Sequence, residues 1–170
     1  MATTLTLDQM EELLAAHEEA EFNVDLEGTM ATLVDNPVYE LPALNYYIEG
    51  DEAVRETYRR FLKGGADRNI WAEKRTHAIA PNSLCREAYV YVDLNDGSRV
   101  TGRYSVIMDF EGTKISGERM FMDATFAKAC HEIFGEDFID VPGVEWLSEK
   151  SPAPMPRLDR AAVHAARPKH

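Results

Sequence analysis

Apolar positions recur at helical spacing through the first third of the chain and at alternate positions through the middle, so the sequence divides near residue 64 into two kinds of structure. Leu7, Met10, Leu13, Leu14, Ala20 and Val24 share one helical face, and Asp8, Glu11 and Glu12 suit the positive end of a helix starting there. This predicts a first helix, solvated on its outer side by Glu18 and Glu19. A short second helix follows through LEGTMATLV and stops at Asp35-Asn36-Pro37, because proline disfavours helix in the residue before it. Residues 38–41 read as a short strand and LPALNYYIEG as an aromatic loop. Gly50-Asp51 opens a third helix with Val54, Tyr58, Phe61 and Leu62 on one face, and Gly64-Gly65 are expected to end it in left-handed conformations.

Beyond that point the period is two, through IWAEKRTHAIA, LCREAYVYVDL, SRVTGRYSVIMDF and TKISGERMFMD. Asn95-Asp96-Gly97 and Glu111-Gly112 lie where hairpin turns are needed. DATFAKACHEIFG predicts a terminal helix with Phe126, Ala129, Ile133 and Phe134 inward. Helices first and a strand meander afterwards define an α+β domain, expected to form a cone in which the N-terminal helices pack into a strongly curved antiparallel sheet. Residues 1–150 are expected to form this single domain, and 151–170 a proline-rich, basic C-terminal tail.

With 170 residues, 45% hydrophobic and 28% charged, the chain is large enough for one core, and it has no apolar run near the ~20 residues that span a membrane. The formal charge of -12 repels phosphate backbones and anionic lipid, so a small hydrophobic ligand is expected rather than nucleic acid or a membrane surface. The acidic N-terminal stretch does not read as a secretory signal, and the expected compartment is the cytoplasm. Cys85 and Cys130 lack any metal-ligand or redox spacing and read as buried thiols. Without a glycine-rich phosphate loop, nucleophile elbow or metal triad, neither a cofactor nor a metal is expected.

A cone leaves an open mouth, and polar residues on its apolar faces become informative. Asp25 and His77 interrupt those faces and suggest an enclosed acid/base pair, although Asp25 also fits an N-cap and His77 a surface or structural imidazole. His17 and Glu21 continue a polar seam along the first helix toward Asp25 as candidate substrate-binding groups, and His17 equally fits a core histidine. Tyr46 and Tyr47 either cover the mouth and donate O–H groups or pack a loop onto the rim. Arg119 fits an anion clamp, or a brace to Asp123 on the same strand face.

Three segments, HEEAEFNVDLEGTMATLVDNPVYE, IEGDEAVRETYRRF and GRYSVIMDFEGTKISGERMFMD, give the sequence over roughly residues 7 to 134 a pattern that resembles the SnoaL-like polyketide cyclase group of the nuclear transport factor two-like superfamily. Its scytalone dehydratase and dehydrochlorinase branches pair an aspartate after the first helix with a strand histidine. The resemblance therefore implies that His77 takes a proton from carbon while Asp25 orients it, and the aromatic loop adds Tyr46 or Tyr47 as the expected donor to the developing oxyanion. The expected function is a cofactor-independent isomerase, dehydratase, lyase or cyclase acting on a small hydrophobic molecule. The alternative is a non-catalytic ligand-binding or assembly domain of the same fold, and under both readings a homodimer through the sheet is expected.

Overall fold

The structure, a computed structural model, describes residues 5–80 and 82–150, and the side chains of 73–80 fall outside that description. Helix α1 (Leu7–Phe22) starts at a capping box in which Thr6 and Gln9 satisfy each other's backbone N–H, and it buries Met10, Leu14 and His17. Asp25 caps helix α2 (Leu26–Ala31). That helix ends earlier than LEGTMATLV suggests: Leu33 is already buried in strand β1 (Leu33–Leu41), where it pairs with Ile115. The aromatic loop is more ordered than its composition implies, since strand β2 (Tyr46–Glu49) within it pairs with β1.

Helix α3 (Asp51–Asp67) buries Val54, Tyr58 and Leu62 as expected, but it runs through Gly64-Gly65 instead of stopping there. The glycines serve close packing. A Cβ on Gly64 would lie 2.8 Å from Cγ2 of Ile133, and one on Gly65 would lie 2.8 Å from Cγ2 of Ile70. The meander follows as β3 (Trp71–Ala80), β4 (Ser83–Asp93), β5 (Arg99–Glu111) and β6 (Lys114–Met122). Helix α4 (Ala124–Phe134) then returns across it, with Gly135 at its end as expected. A three-residue strand, β7 (Val144–Trp146), is too short to leave a periodic signal and adds to the edge of β2.

The seven strands form one curved sheet in the order β3-β4-β5-β6-β1-β2-β7. Every pairing is antiparallel except β1 with β6, which joins the N-terminal half to the meander. Each pleat of β4 alternates cleanly, with Leu84, Arg86, Ala88, Val90 and Val92 all buried on the concave face. This is the α+β cone predicted from the sequence, with one parallel seam that the hairpin signals do not encode. No helix among the described residues is long and apolar enough to cross a membrane. Cys130 is buried and Cys85 half-buried.

The parallel seam is tightest at Gly117, which pairs with Val38 where the register shifts. A Cβ there would fall 2.2 Å from the Val38 carbonyl oxygen, so only glycine lets the two backbones meet. Gly117→Ala is therefore expected to destabilise the fold by roughly 1–3 kcal/mol through overpacking. A urea midpoint unchanged from wild type would show that the seam tolerates a side chain.

Candidate functional site

Between α1 and the concave face of the sheet lies a cavity of ≈ 180 Å³. Its walls are apolar, from Leu14, Phe61, Val90, Val106, Met108 and Phe126 among others, while His17, Glu18, Glu21, Arg86, Tyr104 and Glu118 are the polar side chains that reach it. Phe22 (57% exposed), Val24 (47%) and Trp71 (57%) form its outer lining. Phe22 and Trp71 touch there, with ring centroids 5.8 Å apart.

His17 is 1% exposed. Its Nδ1 lies 2.6 Å from Thr32 Oγ1, whose own proton is committed to the Thr29 carbonyl at 2.6 Å. Thr32 must therefore accept, which places a proton on Nδ1 and leaves Nε2 as the titrating nitrogen. Nε2 faces Tyr58 Oη at 3.0 Å, Glu21 at 3.4 Å and Glu118 at 4.0 Å. Tyr58 is in turn 2.7 Å from Tyr39 Oη. Burial, reinforced by the nearby carboxylates, holds both phenols well above their usual range, so they remain protonated donors.

Burial alone acts to lower the His17 pKa, but the charge of Glu21, supported by Glu118 and Glu18, outweighs it and raises the imidazole above 6.5. For Glu118, burial is the largest effect and raises its pKa; His17 and Arg86 pull it down, Glu21 and Glu18 push it up, and the result is about 7. A carboxyl on one wall and an imidazole on the other are thus both shifted upward, and the carboxyl exchanges its proton near neutrality. Arg86, 3% exposed, binds Glu18 through Nη1. Its Nε and Nη2 have no hydrogen-bond partner among the described residues.

The residues expected from the sequence separate into two groups. His17 and Glu21 do line the cavity. Asp25 does not: it is exposed, and its carboxylate accepts the Gly28 N–H at 2.9 Å as the cap of α2. The reason is local. Helix α1 stops at Phe22, and Val24 takes a left-handed φ of 57°, which turns the chain before the polar seam can continue one more turn to Asp25. The side chain of His77 lies outside the described residues, while its main chain pairs with that of Arg86.

Tyr46 is buried away from the cavity against Trp146 and Phe138, and Tyr47 donates to Glu49 at 3.0 Å beneath the Lys150 ammonium. Neither covers the mouth, because β2 pairing on both sides fixes them in the sheet. Arg119 is a brace rather than a clamp, but to Asp109 on β5 at 2.9 Å; Asp123 instead caps α4. Glu18, expected on the solvated side of α1, is drawn inward by Arg86.

Two residues that the sequence reading passed over carry visible signals. Arg86 is the single charged residue among Leu84, Ala88, Val90 and Val92 at alternate positions of β4, and Glu118 shares strand parity with Met120 and Met122. Among the described residues no three His, Cys, Asp or Glu side chains are grouped to hold a metal ion.

The arrangement of helices against one bent sheet recurs in solved structures. A protein from a Jannaschia species described as a SnoaL-like polyketide cyclase superposes with a TM-score of 0.61 at 11% identity, covering 74% of this chain and 92% of its own. The chain has the NTF2-like cone fold. Two further solved structures match as well. TerC, co-crystallised with polyporic acid, gives a TM-score of 0.61 at 12% identity over 72% and 98% of the two chains. SalBIII, an epoxide hydrolase/cyclase-like enzyme of pyran ring formation, gives 0.60 at 15% over 69% and 93%. No protein-family model and no curated protein matches the sequence.

The buried acid and imidazole of this cone make its stability depend on pH in a defined direction. Both folded pKa values lie above their unfolded values, so the folded chain holds more protons than the unfolded one over the intervening pH. Their contribution is complete at low pH and is lost as pH rises, for Glu118 between 4.5 and about 7. Thermal midpoints are expected to fall between about pH 5 and 8, and Glu118→Gln is expected to flatten much of that slope. Identical slopes in the two proteins would place Glu118 in contact with water.

Proposed function

We propose that this NTF2-like cone is a cofactor-independent enzyme that moves a proton on a small hydrophobic molecule, in an isomerisation, dehydration, elimination or cyclisation. The observation that carries the reading is the buried Glu118–His17 pair, 4.0 Å apart at a cavity with apolar walls. A general base works best when its pKa lies near the operating pH, and Glu118 at about 7 has both forms available there.

In this mechanism Glu118 removes a proton from a carbon beside a carbonyl or other activating group and later returns it to the substrate. His17 is held by Thr32 and Tyr58 with its Nε2 toward both carboxylates, and it stabilises the charged state of the pair. Tyr104 lines the same cavity, and burial raises its pKa, so it remains an O–H donor for the developing oxyanion. Apolar walls exclude water and strengthen each of these interactions. Glu118 and His17 take the parts that the family resemblance assigns to His77 and Asp25. The SnoaL-like description of one structural neighbour supports this class of chemistry.

Deuterium incorporation from D₂O into a panel of small cyclic ketones tests the proposal. Wild-type protein is expected to accelerate exchange at the carbon beside the carbonyl, with a rate that rises with pH through about 7. Glu118→Gln should slow it by ~10²- to 10⁴-fold. Asp25→Asn should leave the rate unchanged, because asparagine caps a helix as well as aspartate does. Undiminished exchange in Glu118→Gln moves the proton transfer to another group, and no exchange with any ketone favours a binding domain.

A further inference from the structure

Arg86 presents an unusual arrangement of donors. It stands on the concave face of β4 between Leu84 and Ala88, both fully buried, where the strand holds its side chain among apolar neighbours. One edge of the guanidinium is engaged, with Nη1 bound to Glu18. Arg86 lines the cavity, and its opposite edge, formed by Nε and Nη2, is buried without a hydrogen-bond partner among the described residues. Two buried guanidinium donors left without hydrogen-bond partners are costly, and such a group calls for an explanation, a bound ligand that completes it being one.

We infer that the Nε–Nη2 edge of Arg86 is a carboxylate-binding subsite, and that the molecule taken into the cone carries a carboxylate on an otherwise apolar body. The side-on edge of a guanidinium offers two parallel N–H bonds spaced to meet the two oxygens of a carboxylate. Glu18 on the far edge keeps the plane of the fork fixed. The surroundings select for a single negative charge. Glu18 and Glu21 from α1 and Glu118 from β6 share the cavity, and a doubly charged phosphate would meet three carboxyl groups against Arg86 and His17. A monoanionic carboxylate is compensated when Glu118 is neutral and His17 is charged. This assignment rests on the cavity being the substrate site proposed above, and it narrows that substrate to an apolar carboxylic acid.

Benzoate and benzamide, of equal size and shape but differing in charge, separate the possibilities when titrated against the full chain by calorimetry. Benzoate is expected to bind at least tenfold more tightly, the preference of a charge-assisted bidentate pair. Arg86→Lys retains the positive charge and its partner Glu18 but lacks the fork, and is expected to erase most of the preference. A readout on the wild-type protein guards against a variant that fails to fold. The Arg86 Nε–H resonance should shift on adding benzoate and stay in place with benzamide. Equal affinities, a preference retained in Arg86→Lys, or an unmoved Nε–H resonance would each overturn the subsite. Loss of ketone exchange in Glu118→Gln beside an intact benzoate preference would support both readings. A benzoate preference without any ketone exchange would sink the proton-transfer reading and leave this one standing.

Discussion

The buried ionic cluster at the floor of the cone is the constraint around which the rest of the molecule is arranged. Arg86, Glu18, Glu21, His17 and Glu118 lie on three elements, and the buried members, Arg86, His17 and Glu118, are brought within reach of opposite charge only when those elements meet. Desolvation raises Glu118 and would lower His17, and the carboxylates beside His17, Glu21 foremost, raise it instead, while Glu118 titrates at about 7. Packing serves this arrangement. The clean alternation of β4 delivers Arg86 to the concave face, and the Gly117 approach closes β6 onto β1 one residue before Glu118.

The cluster is also oriented from behind. Thr29, Thr32, Tyr58 and Tyr39 form a chain of hydrogen bonds from α2 through α3 to β1 that determines which nitrogen of His17 holds the proton. These partners matter because an imidazole free to rotate would offer either nitrogen. With Nδ1 committed, the lone pair or proton on Nε2 always faces the two carboxylates. Polar groups in the interior are thus satisfied in series, and the unsatisfied edge of Arg86 stands out against that background. The rim differs in kind. Phe22, Val24 and Trp71 leave large apolar areas open to solvent at the outer end of a cavity whose inner end is charged.

Much of the candidate site was legible, but unevenly. His17 and Glu21 show themselves because a helix places residues four apart on one line, and both face the hollow. The same logic failed at Asp25, since it assumes that the helix continues, and the left-handed turn at Val24 ends it. Tyr46, Tyr47 and Arg119 were candidates by chemistry alone; partners that the sequence does not reveal, Trp146 on β7 for Tyr46, Glu145 on β7 for Tyr47 and Asp109 on β5 for Arg119, account for them instead. Arg86 and Glu118 carried a readable signal, a charge at an apolar position of a strict alternation. Gly64-Gly65 misled because glycine serves equally as a helix stop and as a space for a crossing side chain, and the presence of Ile133 and Ile70 decides which.

By itself the sequence determined the class of fold, the periods of its helices and strands, and the inward face of most elements, because these depend on interactions among residues a few positions apart. The parallel joining of β1 to β6, the meeting of α1 with β4 and β6, and the identity of the acid beside His17 were decided only in three dimensions. Glu18 and Arg86 are 68 residues apart along the chain. Nothing local distinguishes a glutamate facing water from one facing a buried guanidinium, and the free energy separating the two arises only when the sheet curves around the helix and removes the water between them.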